Sequence, residues 1–213
     1  VPDAREAVLT DEIVLYTNPR SRGRIARWAL EEAGVPYRAE IVPFGPPMKT
    51  DAYRAVNPMG KVPAIVHAGR IVTECPAIVL YLAETFPAAG LAPTPDERAD
   101  VYRWMFFAAG PLEQAVTNRA LGVVVPDERS RMVGYGSFEA VMDTLEHAVT
   151  RHRYLAGDRF TAADIYVGSH IAWGTMFGSI EKRPAFLEYL ARVSDRDAWR
   201  RANALDDAAD TAA

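Results

Sequence analysis

The sequence predicts a two-part architecture, an α/β N-terminal half followed by an all-α helical bundle. Three observations carry this expectation. Short β-branched runs alternate with helical periodicity as far as Phe86. A small-residue connector, Pro87-Ala88-Ala89-Gly90-Leu91-Ala92-Pro93, comes next, and beyond it every strong pattern has helical spacing. The division is therefore expected at residue 88, giving domains 1–88 and 89–213.

Taken in order, Ile13-Val14-Leu15-Tyr16 is a continuous apolar run of the kind a buried strand needs, and Thr17-Asn18-Pro19 ends it with turn residues. Ile25, Trp28/Ala29 and Ala33 then recur three or four apart, a helix that Gly34-Val35-Pro36 closes. Tyr37 to Val42 reads as a second strand with weaker alternation, and Phe44 to Val56 as a loop with a short helix around Asp51–Ala55. A strand after Pro63, a turn at Ala68-Gly69-Arg70 and a strand over Ile71-Val72 form a hairpin. Pro76 suits the first turn of a helix that Ala77, Val79/Leu80 and Ala83 carry to Phe86. The order β-α-β then β-β-α resembles the thioredoxin-like layout.

In the second half, Thr94-Pro95-Asp96-Glu97 is a capping box opening a helix with Val101, Met105, Ala108, Leu112 and Val116 on one stripe. Gly110-Pro111 falls inside it, and because Pro111 lacks an N–H and its ring crowds the carbonyl of Phe107, a kink is expected. Phe138, Val141/Met142, Leu145 and Ala148/Val149 mark another amphipathic helix. Thr161-Ala162-Ala163-Asp164 repeats the capping signature before a segment, Ile165 to Met176, that is apolar nearly all round and suits the centre of a bundle. Pro184 and Ser194-Asp195-Arg196-Asp197 start two more helices, while the small, acidic stretch from Asn203 to Ala213 has little to bury and reads as a disordered tail.

The composition, 49% hydrophobic and 24% charged over 213 residues, suits a globular chain with a well-buried core. A net charge of −4 offers no electrostatic footprint for nucleic acid. The one cysteine excludes an intramolecular disulfide and a CxxC pair, and the four histidines have no metal-ligand spacing, so no metal is expected. Val1 to Thr10 hold charge and no long apolar run, which predicts neither a signal peptide nor a membrane anchor and points to the cytoplasm.

The stretch most informative about function is Asn57-Pro58-Met59-Gly60-Lys61-Val62-Pro63-Ala64-Ile65-Val66, followed by Val72-Thr73-Glu74-Cys75-Pro76. Pro63 belongs at the head or edge of a strand, where a missing N–H costs no ladder bond, and it is a candidate for the cis isomer. With Val62-Pro63 cis, the Val62 N–H and C=O would be open to an extended, peptide-like ligand.

Four separated elements together resemble the cytosolic-type glutathione transferase family: the loop from Tyr16 to Arg24 leading into a helix, Gly60-Lys61-Val62-Pro63-Ala64, Thr73-Glu74-Cys75, and Phe160-Thr161-Ala162-Ala163-Asp164. The resemblance covers about residues 12 to 200 and implies a thioredoxin-like glutathione-binding domain, an all-helical domain, glutathione as co-substrate and a homodimer. It places the glutathione cysteine backbone antiparallel to Val62, beside Pro63. Glu74 would neutralise the γ-glutamyl ammonium, the backbone N–H of Cys75 would bind the neighbouring carboxylate at a helix start, and Lys61 would reach the glycine carboxylate. Against these roles stand plainer ones: Glu74 can serve the helix dipole, Pro63 can be a strand-edge proline, and Cys75 can be a small buried hydrophobe. Cys75 also departs from the family, in which serine is usual.

The chemistry implied by the resemblance lies in Thr17-Asn18-Pro19-Arg20-Ser21-Arg22-Gly23-Arg24. A free thiol has a pKa of about 8.5, and lowering it by about two units requires about 2.7 kcal/mol of preference for the thiolate. Ser21 would donate a hydrogen bond to the sulfur, while the helix N-terminus and Arg20, Arg22 and Arg24 add positive potential. Arg22 or Thr17 can take the critical place instead, and Ser21 can be a plain helix cap. An apolar pocket for a hydrophobic electrophile is expected between the domains, with Tyr102, Trp104, Phe106 and Phe107 as candidate lining, although aromatics at these spacings also suit a core. Two other functions stay open on this scaffold: a non-catalytic protein binding glutathione or hydrophobic ligands, and a glutathione-dependent isomerase, dehalogenase or peroxidase.

Overall fold

The computed structural model describes residues 12–211, so the reading of Val1 to Thr10 and the last two residues of the expected tail lie outside the described residues. The chain divides into two compact units, one running through Ala92 and resuming at Arg196, the other spanning Pro93–Asp195.

The first unit has the thioredoxin-like layout. Strand β1 (Ile13–Thr17) is buried along its whole length because it is central: β2 (Tyr37–Ile41) pairs with it in parallel and β3 (Ala64–His67) antiparallel. The hairpin partner of β3, β4 (Arg70–Thr73), completes the order β2-β1-β3-β4. The weak alternation of β2 reflects its edge position, where all five residues are at least partly accessible. Helix α1 (Gly23–Ala33) ends at Gly34, whose φ of 66° and N–H bond to Leu30 O form the left-handed cap expected of that glycine. The short helix α2 (Asp51–Arg54) is capped by Thr50, and α3 (Cys75–Thr85) packs on α1. Val14 and Tyr16, on one face of β1, join Val42, Met48, Tyr53, Val56, Ala64 and Val66 in a cluster against which the Val62 side chain packs. The period of two thus ties the central strand to the Val62-Pro63 step.

The second unit is all helical. Thr94 and Glu97 form the expected reciprocal box, Thr94 N–H to Glu97 Oε2 at 2.8 Å and Glu97 N–H to Thr94 Oγ1 at 3.4 Å, but it shapes a turn ahead of α4 (Arg98–Phe107). At Gly110-Pro111 the predicted break appears as a π-helical turn, Ala108–Leu112, before α5 (Glu113–Ala120). Helix α6 (Phe138–Arg151) buries Val141, Met142, Leu145, Ala148 and Val149, as its periodicity predicts. Helix α7 (Ala162–Phe177) is the most deeply buried and packs on α4 and on α8 (Pro184–Ser194). Its Asp164 carboxylate accepts from Thr161 N–H (2.8 Å), Leu155 N–H (3.0 Å) and Tyr189 O–H (2.7 Å), so the buried anion is satisfied from three directions. Among the described residues no helix is long and apolar enough to cross a membrane.

The C-terminal segment corrects two expectations. Residues from Asn203 on were expected to be a disordered tail, and those from Arg196 on to belong with the helical half. Instead Asp197–Thr211 forms helix α9, which packs on α1 in the first unit. Ala198, Ala202 and Asp206, four apart, are its buried stripe, and Trp199 meets Trp28 edge to face at 4.6 Å. The stretch has little apolar side chain to bury, but its charges find partners on α1. The boundary lies at Ala92/Pro93, four residues past the predicted one, because the 3₁₀ turn Pro87–Ala89 stays with the first unit.

Candidate functional site

The turn between β1 and α1 is built by Asn18. Its side-chain Nδ2 donates to Val42 O at 3.1 Å, its Oδ1 accepts the Arg20 N–H at 3.0 Å, and its carbonyl accepts the Ser21 N–H at 3.0 Å. The Ser21 hydroxyl donates to the same Asn18 carbonyl at 2.7 Å and accepts the Gly23 N–H at 2.9 Å. Ser21 stands one residue before the α1 N-cap, Arg22, and its hydroxyl braces the turn into the helix; to donate to a sulfur it must rotate its O–H off Asn18. The Thr17 hydroxyl is buried and has no hydrogen-bond partner among the described residues. It lies against Gly23, where an added Cβ would come within 1.8 Å of Thr17 Oγ1. Gly23→Ala is accordingly expected to cost about 1–3 kcal/mol by overpacking, read as a lowered urea midpoint; an unchanged midpoint would refute that close approach.

The arginines of this turn differ from expectation. Arg20 Nε binds Asp210 at 2.7 Å and Arg24 binds Asp207 at 2.7 Å, so two of the three charges assigned to a thiolate are already matched by carboxylates of α9. Asp207 and Asp210 lie in the stretch from Asn203 on that was expected to be a disordered tail, so these anions were not anticipated. Arg22 is exposed, and its carbonyl accepts the Ile25 N–H.

The second component is the Val62-Pro63 peptide bond, which is cis. The preceding carbonyl, of Lys61, is fixed by two donors, Tyr53 O–H at 2.7 Å and Asn57 Nδ2 at 2.8 Å. Burial pushes the Tyr53 phenol well above its ordinary pKa, with the neighbouring Tyr16 adding to the shift, so the group stays a donor at neutral pH. Asn57 Oδ1 also accepts the Met59 N–H at 3.0 Å, and Lys49 Nζ bridges the Met59 and Gly60 carbonyls at 3.1 and 2.9 Å. Gly60 has a φ of 56°, and a Cβ there would lie 2.4 Å from Met48 O, so only glycine fits. With its neighbours held this way, Val62 presents an N–H and a C=O that have no partner among the described residues.

The third component is the turn from β4 into α3. Glu74 is exposed with φ 64° and ψ 113°, a conformation that costs a non-glycine residue about 1–3 kcal/mol. Its carboxylate makes no hydrogen bond or ion pair among the described residues, so it does not cap the helix it precedes. Cys75 is 5% exposed, and its thiol points at Arg22 O, 3.7 Å away, a weak bond that ties the start of α3 to the start of α1. Through this contact the Ser21 turn and the Glu74 turn are neighbours, 53 positions apart in sequence.

Lys61 is exposed beside Val62. Of the aromatic candidates, Phe106 is 70% and Tyr102 37% exposed, whereas Trp104 is only 2% exposed and packs edge-on against Phe107 at 5.6 Å. Val101, Trp104 and Met105 form the buried stripe of α4, which Ala108 continues into the π-helical turn, and this makes Trp104 core and not surface. A cavity of about 470 Å³ in the helical unit lies elsewhere, lined by residues that include Arg119, Val123, Tyr135 and Phe138. Among the described residues no group of three or more His, Cys, Asp and Glu side chains could hold a metal ion.

Sequence reasoning missed Tyr53, Asn57 and Lys49, which shape the backbone around Val62, and the acidic face of α9. The signal for α9 was present: Arg20, Arg24 and Arg27 recur at helical spacing, and Asp206 and Asp207 stand four and three residues before Asp210.

Comparison with known proteins points to one family. The family model "Glutathione S-transferase, N-terminal domain" matches residues 21–85, and "Glutathione S-transferase, C-terminal domain" matches residues 126–197. Glutathione S-transferase 3 of Zea mays is 31% identical over 166 residues, covering 70% of this chain and 72% of the relative. Glutathione S-transferase GST-4.5 of Xanthomonas campestris is 26% identical over 204 residues, 90% of this chain and 99% of the relative. Among solved structures, a theta class glutathione S-transferase from Xanthomonas axonopodis pv. citri with glutathione bound is 32% identical, with a TM-score of 0.71 and coverage of 91% and 97%.

Proposed function

Because this chain belongs to the glutathione S-transferase family, we propose that it binds glutathione along Val62, holds its thiol as the thiolate near Ser21, and transfers the sulfur to the carbon of a hydrophobic electrophile. The observation that carries this reading is the Val62 N–H and C=O, left open beside the cis Pro63 while Tyr53 and Asn57 hold the preceding carbonyl. An extended cysteine residue can pair with both groups as an added strand. The uncapped Glu74 carboxylate suits the γ-glutamyl ammonium, and the N-terminus of α3 at Cys75 suits the adjacent carboxylate. Lys61, with Lys49 nearby, supplies positive charge for the glycine end.

In the reaction the thiol first gives its proton to water. The Ser21 O–H, turned away from Asn18 O, then donates to the sulfur anion, and the α1 N-terminus adds its partial positive charge. The sulfur forms a bond to the electrophilic carbon as the leaving group departs with its bonding pair. Arg22, exposed at the same turn, adds positive charge to it. Within the helical unit, the exposed Tyr102 and Phe106 are the candidates for contacting a hydrophobic ligand. We further propose a cytoplasmic homodimer, which a monomeric sedimentation profile would refute.

The direct test is calorimetry with glutathione, followed by steady-state conjugation of a chloronitrobenzene. Wild type is expected to bind and turn over. Glu74→Gln, by losing a charge-assisted contact of about 1.5–3 kcal/mol, is expected to weaken glutathione binding by about tenfold or more. Absence of glutathione binding by the wild type overturns the reading. Binding without turnover would favour a non-catalytic ligand-binding role, a reading to which the Ser21 hydroxyl engaged by Asn18 O lends support.

A further inference from the structure

Helices α1 and α9 are joined by a ladder of opposite charges. At the start of α1 and in the turn before it, Arg20, Arg24 and Arg27 meet Asp210, Asp207 and Asp206 at 2.7, 2.7 and 2.8 Å. At its other end the signs reverse, with Glu32 and Glu31 meeting Arg196 and Arg201 at 2.6 and 3.0 Å. The end of α9 is thereby held over the turn that carries Ser21.

One rung does more than join helices. The Arg24 guanidinium spends its three nitrogens on three partners: Nε donates to Pro19 O at 2.6 Å, one terminal nitrogen to Asp207 at 2.7 Å and the other to Asn203 Oδ1 at 3.3 Å. A planar fork held at three points has one orientation. Pro19 follows Asn18, whose carbonyl accepts both the N–H and the O–H of Ser21.

We propose that Arg24 and Asp207 are positioning residues for the thiolate site: α9, through Asp207 and Asn203, orients Arg24, which grips the Pro19 carbonyl and sets where the Ser21 hydroxyl stands. The proposal rests on the glutathione reading above for its chemical consequence, and on geometry alone for the turn itself. It differs from a direct electrostatic role. Were Arg24 present simply as positive charge, removing its carboxylate partner would strengthen its pull on a thiolate. As a positioning device, the same removal loosens the turn and weakens thiolate stabilisation.

The opposite signs make the test decisive. In the full chain, Asp207→Asn and Asp207→Glu are compared with wild type by three measurements: the ultraviolet thiolate titration of bound glutathione, kcat and KM at pH 6.5, and amide hydrogen exchange at Ser21 and Gly23 without ligand. Asp207→Asn is expected to raise the bound thiol pKa by about 0.5–1 unit, which corresponds to about a three- to tenfold lower kcat below that pKa. KM for glutathione should stay within about twofold, because Val62 and Glu74 are untouched, and exchange at Ser21 and Gly23 should quicken by about three- to tenfold. Asp207→Glu should restore all three. A lowered thiol pKa, or unchanged exchange, overturns the proposal; so does a parallel loss of kcat and KM that tracks a lowered melting temperature. If wild type fails to bind glutathione, the functional reading falls, and the exchange result alone decides whether α9 positions the turn.

Discussion

Ser21→Ala is expected to lower kcat for conjugation by about 10- to 150-fold at neutral pH, the rate equivalent of losing a hydrogen bond of about 1.5–3 kcal/mol to a charged sulfur. The pH profile should show the cause. Losing a donor to the anion raises the pKa of the bound thiol, so the rising limb of kcat should move alkaline by about 1–2 units and the deficit should shrink at high pH. KM for glutathione should change little, since the contacts proposed for the tripeptide, at Val62 and Glu74, are untouched. The stability cost is expected to be that of a lost turn hydrogen bond, about 0.5–1.5 kcal/mol, because Ser21 Oγ accepts the Gly23 N–H. Under the proposed function serine does two things at one position, bracing the turn in the free protein and donating to the sulfur in the complex. Full activity in Ser21→Ala would remove it from the chemistry and leave Thr17, buried against Gly23 with a hydroxyl that has no partner among the described residues, as the next residue to test.

Arg27→Ala is expected to be the most destabilising change in the first unit, by about 3–5 kcal/mol in urea denaturation. Arg27 is 4% exposed, its partner Asp206 is fully buried, and one Asp206 oxygen has no partner among the described residues. Removing the guanidinium leaves an uncompensated carboxylate inside the α1–α9 contact. It also takes a donor from Tyr37, whose phenol is pushed up to about 12 by burial and by its bond to Glu31. Breaking the pair costs more than the pair contributes, so the apolar double variant Arg27→Met with Asp206→Leu should recover most of the loss. A double variant no more stable than the single one would show that Arg27 acts through packing and not through its charge.

Much of the fold was legible because its signals are local. The apolar run from Ile13 to Tyr16, the glycine stop at Gly34, the Gly110-Pro111 break and the Thr161–Asp164 box each act within a few residues, and each appears where its chemistry demands. Trp104 was ambiguous for a reason of the same kind: an aromatic on a helix states its size but not its direction until the buried stripe of Val101, Met105 and Ala108 is known. Asn203 to Thr211 was misread because composition reports how much apolar surface a segment can bury alone. It does not report the ion pairs that a helix can make with one nearly 180 residues away in sequence.

By itself the sequence determined the order of elements, the cis-prone Val62-Pro63 step and the residue types at the turns that flank it, since turn chemistry, periodicity and proline stereochemistry are properties of neighbouring residues. Only the tertiary structure decided that Cys75 meets Arg22, that Tyr53 and Asn57 share the Lys61 carbonyl, and that the arginines flanking Ser21 answer the aspartates of α9. Those pairings depend on which distant surfaces come together and on how burial weighs a charge once they do, and neither is set by local spacing.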